Sequence, residues 1–222
     1  MGVLKKRSGL LGAIVASTLL VAFGAAAVSG CGGDSPQELN GITRVPPART
    51  DNLKLPDESP ASGGREIAIK GPQGGMMLVF FGYTSCPDVC PTSMADLRLA
   101  MAELTPEQRQ KVKVAMITVD PKRDTGKVLN GYLGHFFEPG EFRSLRTDDP
   151  DQLAKVEKAF GASHKLGKPN VDGGYEVGHT TQVFAVNDRG QITVEWPFMT
   201  EPEKIADDIR LLLDQKSQDP DA

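Results

Sequence analysis

Residues 78–91 read LVFFGYTSCPDVCP, and the rest of the chain is arranged around them. Four large apolar residues (Leu78, Val79, Phe80, Phe81) end at Gly82. The run is short and apolar at every position, which predicts a strand buried on both faces. Pro87 and Pro91 interrupt the backbone before an amphipathic pattern begins near residue 91. Proline favours the first helical position, which predicts Cys90 at the N-cap and Cys86 in the preceding loop. Both sulfurs then stand at the C-terminal edge of a sheet, beside the positive end of a helix. That setting exposes a thiol and lowers its pKa.

Upstream, Leu53 and Leu55 alternate, DESPASGGRE supplies a turn and Ile67, Ala68 and Ile69 follow, which predicts an edge hairpin. Downstream, Met94, Leu97, Met101 and Leu104 recur at spacings of three and four and mark one helix face, read as core rather than as a set of metal ligands. Val112 to Asp120 reads as a second core strand. Residues 125–137 read as a helix with Val128, Leu129, Tyr132, Leu133 and Phe136 facing inward. Asp149-Pro150-Asp151-Gln152 opens another helix, which Gly161 stops. Residues 162–178 are polar and glycine-rich. Thr181 to Val186 is a third strand, turned by Asn187–Gly190 into ITVEW, and Thr200–Glu203 caps a last helix carrying Ile205, Ile209, Leu212 and Leu213. This order predicts an α/β, thioredoxin-like single domain over residues 51–217, a central mixed sheet with flanking helices, and a frayed tail at 218–222.

The amino terminus reads as a targeting segment. Lys5, Lys6 and Arg7 precede an apolar run over residues 10–28, and Val28-Ser29-Gly30-Cys31 looks like a bacterial lipoprotein signal that leaves Cys31 lipidated. The alternative is an uncleaved membrane helix, since about 20 apolar residues span a bilayer. Both place the remainder on the outer face of the cytoplasmic membrane, with residues 1–30 as signal or anchor and 31–50 as a flexible tether. Beyond residue 30 the chain carries 22 basic against 29 acidic residues, a balance that argues against nucleic acid as a partner.

With Cys31 acylated, two thiols remain, Cys86 and Cys90. Their spacing suits a structural disulfide, a redox couple or a pair of thiolates on one soft ion such as Cu(I). A staple across so short a loop removes little chain entropy, so the pair reads as functional. Of the three histidines, His135 reads as a packing residue on a helix and His164 as a solvated loop residue. His179, just before the third strand, stands where a thioredoxin-like sheet brings a loop against the cysteines. A peroxidase of the peroxiredoxin type fits less well, because Thr84 lies two residues before Cys86 rather than three.

FFGYTSCPDVCP, then ITVDPKRDT, then Gly-His-Thr-Thr before a strand resemble the Sco/SenC family over roughly residues 51–215. These are membrane-tethered, thioredoxin-like copper proteins of cytochrome c oxidase assembly. The resemblance implies copper held by Cys86, Cys90 and His179. It also implies delivery to the oxidase subunit with the dinuclear copper centre, and a further copper chaperone or thiol reductant as partner. The family pattern has an aspartate before that histidine and a serine after it, where this sequence has Gly178 and Thr180. Asp120, Arg123 and Asp124, in the VDPKRDT match, read as a strand end and a capped helix start, or as groups near the copper. The rival reading is a thiol-disulfide oxidoreductase that uses Cys86 and Cys90 on target cysteines.

Overall fold

The computed structural model describes residues 38–50, 52–171 and 174–218. The expected signal or anchor, Cys31 and residues 219–222 of the expected tail lie outside them. Among the described residues no helix is long and apolar enough to cross a membrane.

Strand β3 (Met76–Gly82) is buried at every position, as its unbroken apolar run requires. It pairs in parallel with β4 (Val112–Thr118), matching Leu78 to Val114 and Phe80 to Met116. Helix α1 (Val89–Ala102) and the short α2 (Pro106–Gln110) make the crossover between them. Beyond β4 comes α3 (Gly126–Leu133), then β5 (Phe142–Leu145), parallel to β4. The edge hairpin is β1 (Lys54–Asp57) with β2 (Arg65–Ala68), and β1 joins β5 through Asp57 and Leu145. On the other side of β3 lie the antiparallel β8 (Val183–Asn187) and β9 (Ile192–Trp196). The sheet therefore runs β2-β1-β5-β4-β3-β8-β9, mixed and flanked by helices, which is the thioredoxin-like arrangement expected. Helix α4 (Pro150–Phe160) starts on the Asp149 cap and ends at Gly161, whose φ of 68° is left-handed. Helix α5 (Pro202–Gln218) packs on α1.

Several expectations need correction. Helix α1 begins at Val89 with Asp88 as its N-cap, so Cys90 lies inside the first turn. Helix α3 ends at Leu133, leaving His135 exposed, and Val128 points to solvent. Thr200 does not cap α5; its hydroxyl turns back to the Pro197 carbonyl at 2.8 Å, and the Glu201 carbonyl takes the first helical N–H groups. The polar connection after α4 contains a separate two-stranded ribbon, β6 (His164–Leu166) with β7 (Val177–His179).

The expected tether is also shorter than its composition implies. Ile42 bridges Glu195 and Arg49 bridges Gln191, so residues 42–49 cover the outer edge of β9. Gly41 lies so close to β9 that a Cβ there would meet the Val194 side chain at 2.3 Å. The buried Asp208 carboxylate secures this segment, accepting the N–H groups of Asn40 (2.8 Å) and Gly41 (2.9 Å) and the Trp196 indole N–H (2.8 Å). Asp208→Ala leaves the buried Trp196 indole N–H without its acceptor and removes the part-buried bonds to Asn40 and Gly41, which should cost about 3 kcal/mol. Urea unfolding followed through Trp196 emission measures the loss, and faster amide exchange at residues 40–42 locates it.

Candidate metal centre

The site is built where β3 ends. The Tyr83 carbonyl accepts the Cys86 N–H at 3.2 Å, which closes a turn and lifts Cys86 to a half-exposed position. Helix α1 then starts, and the Cys86 sulfur accepts the Cys90 N–H at 3.4 Å, filling one of the open donors of the first turn. Cys90 faces inward from that turn and is fully buried. Its sulfur rests on the end of β3, where only glycine fits. A Cβ on Gly82 would stand 2.6 Å from the Phe80 ring and 3.0 Å from the Cys90 sulfur.

Across the cleft, β7 carries His179, whose Nε2 lies 3.4 Å from the Cys90 sulfur. The donor atoms of Cys86, Cys90 and His179 all fall within 4.8 Å of one another. The Nδ1–H of His179 donates to the Thr180 carbonyl at 2.9 Å, which leaves the Nε2 lone pair turned towards the sulfurs. The rings of Phe80 and Tyr83 hold the imidazole edge-on, at centroid distances of 5.7 and 5.8 Å. The Thr180 carbonyl and these two rings thus orient it, with Gly178 as its neighbour before it in sequence. Thr180 is fixed in turn, since its hydroxyl accepts the Ser163 N–H at 3.0 Å. Cys86 and His179 open into a cleft of about 290 Å³ lined also by Tyr83, Asp88, Val89, Glu176, Val177 and Thr181, while Cys90 stays buried.

Burial sets the charge state. It pushes the Cys90 thiol well above its ordinary range and lowers the His179 pKa, outweighing the Thr180 and Phe81 carbonyls that favour the proton. The expectation of two exposed, acidified thiols therefore holds for neither the exposure nor the pKa of Cys90. The reason is geometric, because Cys90 points from the helix start into the core.

Sequence reasoning missed what holds the cysteine turn. Asp124 caps no helix; Thr125 caps α3. The buried Asp124 carboxylate instead accepts the Thr84 N–H (3.1 Å) and hydroxyl (2.5 Å) and the Thr118 hydroxyl (2.6 Å), tying the turn to the end of β4. Asp120 pairs with Arg123 and accepts the Tyr175 hydroxyl at 2.8 Å. His164 is not a solvated loop residue. It lies half-buried on β6, with Nδ1 2.6 Å from a Glu157 carboxylate oxygen.

The SCO1/SenC family model matches residues 59–214. The chain belongs to the SCO1/SenC family. Among its relatives, an SCO2-like protein of Rickettsia prowazekii is 32% identical over 120 residues, 54% of this chain and 57% of that protein. The chain thus spans rather more than half the length of the curated relatives it first matches. The structure of Bradyrhizobium japonicum ScoI with copper bound superposes with a TM-score of 0.59 at 30% identity, covering 71% of this chain and 95% of that one. Apo Sco1 of Thermus thermophilus gives 0.61 at 27% identity, covering 82% and 97%. Both structures share the fold described above.

Two predictions follow from burial. Iodoacetamide applied to the reduced native protein at about pH 8 should label Cys86 at least about tenfold faster than Cys90, read by peptide mass mapping. The unfolded chain protonates His179 near the ordinary value of about 6.5, the folded chain only at lower pH. Stability from the neutral ring is therefore intact above about pH 6.5 and is lost as pH falls through the folded value. Urea midpoints should drop on that acid limb, and His179→Ala should flatten it.

Proposed function

We propose that this chain is an extracytoplasmic copper chaperone that holds one ion between Cys86, Cys90 and His179. The observation that carries the reading is the convergence of two sulfurs and a free imidazole nitrogen within 4.8 Å. Thiolate sulfur selects soft ions, and imidazole suits copper and zinc alike. The copper-bound relative supports copper among them. Binding releases the thiol protons, because the metal takes the deprotonated sulfur. Copper is cargo in this reading. The family motifs support passage to the dinuclear copper centre of cytochrome c oxidase. A lipid on Cys31, or a membrane helix within residues 1–30, would hold the domain at the outer face of the cytoplasmic membrane.

The phosphine-reduced protein should bind about one Cu(I) per chain. Changing both cysteines to serine should abolish this, and equal binding in that variant would overturn the reading. His179→Ala should weaken binding by more than about 100-fold, beyond the usual cost of losing an outer-shell partner.

A thiol-disulfide oxidoreductase is the second reading, favoured by the pairing of a half-exposed Cys86 with a buried Cys90 four residues on. Such a pair gives one attacking and one resolving sulfur. In that case His179→Ala would leave thiol exchange with a small disulfide close to wild type while copper affinity falls. Loss of both would separate the site from simple exchange chemistry.

A further inference from the structure

Tyr83 touches both elements that carry the metal donors. Its carbonyl closes the turn of Cys86. Its hydroxyl oxygen accepts the Val177 N–H at 3.3 Å, two residues before His179 on β7. Its ring meets the His179 ring edge-on, with planes at 87°. The Arg123 guanidinium lies on the ring at 5.6 Å from its centroid, and stacks more closely on Tyr175 at 3.8 Å. Tyr83 is 3% exposed, so its hydroxyl must find its partners within the protein.

This matters because the β6–β7 ribbon lies outside the seven-stranded sheet. A two-stranded ribbon is marginal on its own, and its ladder does not attach it to β3 or β8. Side-chain pegs therefore set where His179 stands. Tyr83 holds Val177, Asp120 holds the Tyr175 hydroxyl, and Glu157 holds His164. Of these three, Tyr83 is the one whose own backbone closes the cysteine turn.

We propose that Tyr83 is a positioning residue whose hydroxyl sets the reach between His179 Nε2 and the two sulfurs. The inference rests on the copper reading for its metal readouts. Without the phenol oxygen the ring still fills its place, but β7 is no longer pinned to the turn. The nitrogen then spends part of its time out of reach, and the ion is left on sulfur. Loss of such an outer-shell partner typically weakens metal binding about 10–100-fold.

The test is Tyr83→Phe in the full chain, with Tyr175→Phe beside it. Cu(I) affinity is measured by competition with a chromophoric chelator, and nitrogen hyperfine coupling by EPR after one equivalent of Cu(II). The His179 ring is followed by NMR in the metal-free protein. Tyr83→Phe should lose affinity in the range above, weaken the nitrogen coupling and broaden the ring signal. Tyr175→Phe, which releases a contact lying before β7 and farther from His179, should lose clearly less affinity and nitrogen coupling than Tyr83→Phe. Wild-type affinity and coupling in Tyr83→Phe would overturn the inference, as would an equal loss in Tyr175→Phe. Should the wild type bind no copper, the copper reading falls. The metal-free NMR comparison then decides Tyr83 alone, an unchanged ring signal counting against it and a broadened one in its favour.

Discussion

A sulfur packed against the backbone of a glycine, facing an imidazole nitrogen 3.4 Å away, is the constraint on which this structure turns. Removal from water acts on the two groups with one cause and opposite signs, keeping Cys90 a thiol and His179 uncharged. Among the described residues lining the cleft there is no lysine or arginine to stabilise a thiolate. A bound cation would invert the local preference, since metal binding takes deprotonated sulfur and a neutral imidazole.

The scaffold fixes the sulfurs far more firmly than the nitrogen. Strand β3 is held on both edges, by β4 and β8, and is buried throughout. The Asp124 carboxylate then locks Thr84 to Thr118 across the top of those strands. A polar group so buried is tolerated because its hydrogen bonds are made, and removing a partner would expose the full cost of desolvating it. The same logic recurs below the sheet edge, where Asp208 gathers Asn40, Gly41 and Trp196.

What the sequence revealed was local, and what it hid was long-range. The apolar runs of β3 and β4, the Asp149 cap and the Gly161 stop carry their own signals, and they were legible. Strand β5 was not, because Phe142-Arg143-Ser144-Leu145 has no strong period and earns its place only by pairing with β4. The ribbon was missed for a similar reason, since His164 meets His179 only across a fold-back of the chain. Cys86, Cys90 and His179 could be named from spacing, strand order and motif. The burial of Cys90 could not, because a shift of the helix start by two residues turns its side chain from the cleft edge towards the core. Asp124 looked like a cap because it precedes a helix, while its actual partner Thr84 is 40 residues away.

The ribbon's independence from the main sheet has an energetic consequence. Segments outside a cooperative core open at a lower free energy than the whole domain unfolds. Opening of the ribbon, resisted by the buried Val177, would move His179 while the cysteine turn stays tied to β3 and β4 through Asp124, so the nitrogen and the sulfurs stand on parts of the fold that open at different free energies.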